Sequence, residues 1–306
     1  MSYKPIRWMY FFSTLLLFSC NRSQELQDPS DVFPELTQIT EKVELVEVDE
    51  KVLLKDYFAF IDTLCVQWSR THPYLLTDYH LVHANPWILN RLENTDYYLL
   101  KEKGIIKQKL QSITIFRPGD RIKIPDSTQI QQIDFDLEHT QIDVNLPAYK
   151  MQIIQHGTPL RTLPIRIGQL RKRYLAMAKN TVNLKTRAGY GYIGRVNRQP
   201  MFINPANNKV YKRTRRDDGV YTDLPPIPWI EPIIDGMQYG QLIHPTTNLR
   251  TLGKKSSNGC IGVRESDGWF IYYHAPLGTR VTIRYDRQII DSQGDTIVLP
   301  DVYMQE

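Results

Sequence analysis

The stretch that decides the fold reads Tyr239-Gly-Gln-Leu-Ile-His-Pro-Thr-Thr247 and, after a short loop, Ser257-Asn-Gly-Cys-Ile-Gly-Val-Arg264. A short apolar strand leads into His244, so the imidazole is expected on a rigid element. Cys260 follows a flexible Gly-Lys-Lys-Ser-Ser-Asn-Gly stretch, and Gly259 permits a tight bend before it. A cysteine attacks as a thiolate, and a nearby imidazole can take its proton. The pattern indicates Cys260 as nucleophile and His244 as general base.

Around this stretch the sequence pattern favours β-strands. Strands are predicted at 141–146, 149–155, 160–168, 241–243 and 280–285. His156-Gly157 has the composition of a hairpin turn, and a helix is predicted at 266–275. Many short strands with few helices predict a mainly β fold, in which two sheets pack as a sandwich or curve into a barrel-like pair.

A Cys/His pair alone arises easily by chance, but its setting here is specific. His-x-Thr followed by Ser-x-Gly-Cys, with Cys260 sixteen residues after His244, resembles the L,D-transpeptidase (YkuD-type) signature. The resemblance covers 138–285 and implies a β-sandwich catalytic domain. It implies that Cys260 attacks a peptidoglycan stem peptide at an L-to-D centre, that D-alanine leaves, and that an amine of another stem peptide completes the crosslink. It also implies that the Pro245 carbonyl orients the imidazole and that Gly259 shapes the oxyanion hole.

The same resemblance suggests substrate contacts and shows two departures. Ser257 and Asn258 lie in the turn before the nucleophile, where the family usually has His at the position of Asn258. Gly262 stands where the family usually has Arg or Asn, and Arg264 is a candidate for a substrate carboxylate. Asn can exchange hydrogen bonds but cannot hold a proton. These departures concern substrate geometry and the tuning of the thiol rather than the class of reaction.

Residues 195–235 are rich in Arg, Asn and Pro, and the prolines of 225–232 are too dense for a central strand. A long excursion of this kind predicts a lid or binding loop. Arg215, within the basic run 212–216, is a candidate for stem-peptide carboxylates, while a solvated surface paired with neighbouring acids is the alternative. Trp229 is expected either to close over substrate or to pin the loop to the sheet.

The N-terminus indicates export. Lys4 and Arg7 precede an apolar run too short to span a bilayer comfortably, which predicts a signal peptide at 1–19. Leu-Phe-Ser-Cys20 resembles a bacterial lipobox, so Cys20 is the predicted lipidation site, followed by a tether at 20–40. An uncleaved membrane anchor is the alternative. With either alternative, the rest of the chain is expected to lie outside the cytoplasmic membrane. The favoured prediction is an exported bacterial lipoprotein that faces the periplasm or lies at a cell-envelope membrane.

Residues 41–137 are expected to form a small α/β or α-rich N-terminal domain, and 286–306 a C-terminal extension. Residues 74–125 resemble a divergent LysM module, which binds peptidoglycan; a purely structural domain is the alternative. Cys65, on a predicted apolar helix face, is expected to be a buried structural thiol. His80 and His83 lack an evident third ligand and are expected to serve in packing.

Composition and motifs narrow the function. The formal net charge of +5 is too mild to indicate nucleic-acid binding, and no phosphate loop, dinucleotide fingerprint or metal-ligand cluster is present in the sequence. No cofactor or metal is therefore expected. The favoured function is a peptidoglycan L,D-transpeptidase acting on stem peptides. The alternatives are an L,D-carboxypeptidase or amide hydrolase on the same scaffold, and a non-catalytic peptidoglycan-binding lipoprotein.

Overall fold

A computed structural model describes residues 44–105, 107–175, 179–203, 207–216, 219–291 and 293–304. The described residues from Glu44 onward belong to one compact unit. The predicted signal peptide, the tether and Cys20 lie outside them. Within the described residues, no helix combines the length and the apolar character needed to cross a membrane.

The N-terminal part is mostly helical. Its elements are β1 (Glu44–Glu47), β2 (Val52–Leu53), α1 (Tyr57–Thr71), α2 (Asp78–Ala84), α3 (Pro86–Glu93), α4 (Tyr97–Glu102), β3 (Thr114–Phe116), β4 (Arg121–Ile124) and α5 (Ser127–Glu138). Strand β1 pairs with β4 and β2 with β3, both antiparallel. Helix α2 begins with a capping box at Thr77, and α5 with one at Asp126, which satisfies the first free N–H groups of each helix.

The second part is β-rich. Its elements are β5 (Thr140–Asn145), β6 (Lys150–Gln155), β7 (Thr158–Pro164), β8 (Ile167–Gly168), β9 (Lys172–Leu175), β10 (Asn180–Asn183), β11 (Gly189–Asn197), β12 (Arg213–Arg215), β13 (Tyr221–Asp223), β14 (Trp229–Ile234), β15 (Ile243–Pro245), β16 (Lys255–Ser257), β17 (Ile261–Val263), α6 (Glu265–His274), β18 (Arg280–Arg284), β19 (Gln288–Ile290) and β20 (Thr296–Val298). Eight strands form one mixed sheet in the order β17-β15-β14-β11-β18-β5-β6-β7. The prediction of a mainly β class is confirmed.

The two ends of this sheet meet. Strand β7 lies at one end and β17 at the other, and the chain leaving β7 reaches β17 within two residues. There the Arg166 N–H donates to the Gly262 carbonyl at 2.9 Å, and the Gly262 N–H donates back to the Arg166 carbonyl at 3.0 Å. This antiparallel bridge gives the sheet its barrel-like form and covers an edge that would otherwise be open. The bridge also joins two segments that are almost a hundred residues apart in sequence.

Helix α6 connects two hydrophobic cores. Trp269 and Tyr272 pack into the core of the N-terminal helices, whereas Phe270 and Ile271 pack into the core of the large sheet. The helix is apolar on nearly all sides because it is enclosed on nearly all sides. The predicted boundaries near 137 and 285, and the LysM-like character of 74–125, stay predictions.

Two predictions about residues 195–235 are wrong: the limits of the insertion, and the exclusion of its prolines from a central strand. The predicted insertion 195–235 begins inside β11 and includes the whole of β14, its partner in the large sheet, so the excursion between the two strands is shorter. Pro232 is accommodated in β14 because its partner Ile193 directs its own N–H and C=O to the other side, toward Thr279 and Gly278. Pro232 therefore has no hydrogen bond to donate to β11.

Candidate active site

The predicted nucleophile and base lie on one face of two neighbouring strands. Strands β15 and β17 run parallel, with Ile243 opposite Ile261 and His244 opposite Gly262. Ile243 and Ile261 point into the sheet core, and side chains alternate along a strand. His244 and Cys260 therefore both lie on the outer face, as diagonal neighbours. The sequence predicted that His244 directly follows the strand. In the structure His244 lies within β15.

The position of the imidazole is fixed by a backbone oxygen. Nδ1 of His244 lies 2.9 Å from the Pro245 carbonyl oxygen. Since a carbonyl only accepts, Nδ1 carries the proton and Nε2 is left with its lone pair. Burial, followed by the positive charge of Arg166, lowers the pKa of His244 to about 4. The ring is thus neutral at ordinary pH and able to accept a proton.

Cys260 is partly exposed and has no disulfide partner. Its Sγ accepts a hydrogen bond from the Leu242 N–H at 3.4 Å. Burial raises the pKa of the Cys260 thiol, and the Leu242 N–H and the Arg166 charge partly counteract that rise. Within the described part of the chain, no hydrogen bond joins Cys260 to His244. The resting pair is consequently a neutral thiol beside a neutral imidazole, and the thiolate expected from the sequence has to form during the reaction.

The turn before Cys260 is held by Ser257. Its hydroxyl donates to the Cys260 carbonyl at 2.5 Å and accepts from the Gly259 N–H at 3.2 Å. Gly259 has φ +112°, a conformation that strongly favours glycine, and its carbonyl accepts from Thr186 Oγ1 at 2.9 Å. Because the Gly259 N–H is committed to Ser257, the donor left at this bend is the Cys260 N–H, which has no partner among the described residues.

The other side of β15 is supported by α6. Gly268 lies so close to β15 that a Cβ there would be 2.8 Å from Pro245 Cγ. The missing side chain lets the helix approach the strand that carries His244. The imidazole is therefore held from two sides: by the hydrogen bond from its own ring and by the packing beneath its strand.

Four of the predicted substrate residues lie in the turn before Cys260, at the start of α6, on the β12–β13 hairpin and in β14. Asn258 is exposed in the turn, and Arg264 is exposed at the N-terminal end of α6. Arg215 is exposed on the β12–β13 hairpin, whereas Trp229 begins β14 and stacks under the Arg195 guanidinium at 4.8 Å. None of these four side chains hydrogen-bonds to Cys260 in the described structure. Ser257 is the one predicted substrate residue that the structure joins directly to the nucleophile.

The basic run 212–216 is partly neutralised. Arg213 lies 3.6 Å from Asp223, and Arg216 forms an ion pair of 2.7 Å with Glu102 and donates to the Thr247 carbonyl at 3.1 Å. Arg216 thereby ties the excursion to the loop that follows His244.

Two charged residues of the site were not predicted. Arg166 lies between the buried residues Ile165 and Ile167, and the alternation within the predicted strand 160–168 already indicates that its side chain points outward. Glu231 on β14 is buried and pairs with Arg195 at 2.5 Å, and its charge raises the pKa of Cys260. Glu231 gave no local sequence signal, because its importance depends on neighbours supplied by other strands. Within the described ranges, no group of three or more His, Cys, Asp or Glu residues is arranged to hold a metal ion.

Comparison with known proteins identifies the β-rich part. Residues 139–283, just under half of the chain, match the family model of the YkuD L,D-transpeptidase catalytic domain. No curated protein matches the chain significantly.

Solved structures with partial similarity include three L,D-transpeptidases. One from Mycobacterium smegmatis is 12% identical over 48% of this chain and 58% of its own length, with a TM-score of 0.33. One from Xylanimonas cellulosilytica is 14% identical over 62% and 78%, with a TM-score of 0.35. The catalytic domain of the Enterococcus faecium enzyme is 19% identical over 48% and 98%, with a TM-score of 0.31. The chain thus spans less than two thirds of the first of these proteins. At these TM-scores the three similarities carry no argument about the site.

Proposed function

We propose that this chain, whose residues 139–283 are a YkuD-type L,D-transpeptidase catalytic domain, crosslinks peptidoglycan stem peptides through an acyl-enzyme on Cys260. The observation that carries the proposal is the state of His244. Its Nδ1 proton is engaged by the Pro245 carbonyl, and its Nε2 is left as an acceptor on the face that holds Cys260. That is the arrangement general-base activation of a thiol requires.

The reaction would proceed in two acyl transfers. His244 Nε2 takes the thiol proton while Sγ adds to the donor carbonyl carbon, which becomes a tetrahedral oxyanion. The Cys260 N–H is placed to stabilise that oxyanion. Collapse of the intermediate expels the D-alanine amine, which takes the proton back from the imidazole, and a thioester remains. An acceptor amine then adds to the thioester, gives its proton to His244, and expels the thiolate, which is reprotonated.

The activity is tested with purified protein and defined tetrapeptide muropeptides. Wild type is expected to form crosslinked dimers with release of D-alanine, and Cys260→Ala to form none. Cys65→Ala is the matched control, because Cys65 is the other described cysteine and is buried in the N-terminal core. Dimer formation by Cys260→Ala at the wild-type rate would refute the acyl-enzyme. Shortened monomers in place of dimers would show that water is the acceptor and that the enzyme is a hydrolase.

The acyl-enzyme can also be observed directly. Rapid quenching with a tetrapeptide donor and no acceptor should add the mass of the tripeptide acyl group to the peptide carrying Cys260, with no addition to the Cys65 peptide. His244→Gln should reduce the rate of this addition strongly without changing the fold, since the glutamine amide can still donate to the Pro245 carbonyl but cannot accept a proton at neutral pH. Labelling at equal rates in wild type and His244→Gln would exclude His244 as the base.

We further propose that the chain is exported and anchored through a lipid on Cys20, on the evidence of the sequence alone. Growth of an expressing bacterium with a clickable fatty acid should label the protein, and Cys20→Ser should abolish the label. A label that persists in Cys20→Ser would exclude Cys20 as the lipidated residue.

A further inference from the structure

Arg166 occupies an unusual place in the barrel-like sheet. It is the residue whose backbone bridges the two sheet ends through its paired hydrogen bonds with Gly262. Paired residues of an antiparallel bridge direct their side chains to the same face. Arg166 therefore extends over the face that carries Cys260 and His244, with Gly262 beneath it.

Gly262 and Arg166 fit each other closely. A Cβ built on Gly262 would lie 2.5 Å from Arg166 Nε, 2.7 Å from Cγ and 2.9 Å from Cδ. Ordinary Cβ atoms do not approach neighbours this closely, so the arginine stem occupies the space that a side chain at position 262 would fill. Since Gly262 lies opposite His244, the arginine lies beside the base.

The charge of Arg166 reaches both reacting groups. It favours the neutral form of His244 and the ionised form of Cys260. The other charged group acting on this face is Glu231 of β14, which is paired with Arg195 of β11. On the opposite side of β15, α6 contributes Glu265 and Asp267, both buried and both with raised pKa values. Among the residues that the structure describes, Arg166 is the cation that acts on both members of the pair.

We propose that Arg166 is a positioning residue for acyl transfer: its stem fills the space over Gly262 and holds its positive charge next to His244 and Cys260. This role deepens the proposed function and rests on it. A single residue thereby links the closure of the sheet to the surroundings of the base. The arginine comes from the segment between β7 and β8, whereas the nucleophile comes from the turn before β17 and the base from β15.

The charge is tested by following the titration of the His244 ring by NMR, with the signal assigned by its absence in His244→Gln. Wild type should titrate near pH 4. Arg166→Met keeps most of the stem and removes the charge, so the midpoint should rise by roughly one unit. Arg166→Lys should restore the wild-type midpoint. Arg280→Met is the matched control, because Arg280 is exposed on β18 and its loss changes the net charge equally. Equal midpoints in Arg166→Met and Arg166→Lys would overturn the electrostatic role.

The fit is tested by a double-mutant cycle. Gly262→Ala should displace the Arg166 side chain, raise the His244 midpoint and lower the rate of dimer formation at least about tenfold, because misplaced catalytic groups lose rate steeply. In the Arg166→Ala background, where the space is empty, the same Gly262→Ala change should add less than about twofold. Equal effects of Gly262→Ala in both backgrounds would overturn the fit.

These readouts separate the two proposals. The NMR titration, and the alkylation rate of the Cys260 peptide measured by mass spectrometry, do not require any transfer reaction. Alkylation at pH 8 should be slower in Arg166→Met than in Arg166→Lys, because loss of the cation reduces the thiolate fraction. If wild type forms no dimers while these shifts occur, the proposed reaction fails and the role of Arg166 in the pair stands.

Discussion

Ser257→Ala is expected to damage the site more than its size suggests. The Ser257 hydroxyl is buried and takes part in two hydrogen bonds, from the Gly259 N–H at 3.2 Å and to the Cys260 carbonyl at 2.5 Å. Both partners belong to the bend that presents the nucleophile. Alanine fits the space but leaves a buried donor and a buried acceptor without partners.

The magnitude follows from those two contacts. A buried N–H left unsatisfied costs about 1–3 kcal/mol, and the lost hydrogen bond to the carbonyl about 0.5–1.5 kcal/mol. The free energy of unfolding should therefore fall by roughly 2–4 kcal/mol. Because the bend also sets the position of Sγ, the rate of dimer formation should fall by about 10- to 100-fold.

Chemical denaturation followed by tryptophan fluorescence measures the first quantity, and the muropeptide assay measures the second. Ser256→Ala is the matched control, since Ser256 Oγ is buried without a hydrogen-bond partner in the described structure. Its removal should change stability by less than about 1 kcal/mol. The reasoning would be refuted if the two neighbouring serine variants lost stability and activity to the same extent.

Three other predictions concern titration and packing. The pKa of Glu265 is raised by burial from 4.5 to about 8, so the folded chain keeps a proton in this interval that the unfolded chain has lost. Stability should therefore decrease as the pH rises from 4.5 to 8, by at most roughly 5 kcal/mol, and Glu265→Gln should flatten this slope in urea titrations at several pH values. Burial lowers the pKa of His244 in the folded chain to about 4. As the pH is lowered, kcat/KM should therefore stay constant until about pH 4 and decrease only at lower pH. A decrease that begins near pH 6.5 would contradict the burial of the ring. Gly268→Ala should push α6 away from Pro245. Thermal melts should then show a loss of stability of about 1–3 kcal/mol, and the transfer rate should fall as well. Unchanged melts would show that the helix can shift freely.

Much of the fold was readable from local patterns. Alternation predicted the strands that became β5, β6 and β18, and the positive φ values of His156 and Gly157 agree with the predicted hairpin turn. The predicted helix that carries Cys65 is α1 in the structure, and that thiol is buried as expected. Such patterns report on residues a few positions apart, which is the range over which alternation and turn chemistry act.

The predictions from sequence were wrong where the local structure depends on partners that are distant in the chain. The prolines of 225–232 argued against a central strand, yet Pro232 lies in β14 because Ile193 directs its hydrogen bonds elsewhere. The sequence predicted a strand at 241–243 that ends before His244, whereas β15 includes His244. The limits of a short strand depend on the strands it pairs with rather than on its own composition.

The sequence by itself predicted the chemistry: the motif that holds His244, Gly259 and Cys260 indicates a nucleophile and a base, and its resemblance to the L,D-transpeptidase signature implies the class of reaction. Only the tertiary structure decided how that pair is tuned. The neutral thiol and imidazole, the proton on Nδ1, and the arginine over Gly262 depend on burial and on strands that are far apart in the chain. Covalent order determines which groups are available, whereas their protonation depends on the desolvation and charge that folding brings around them.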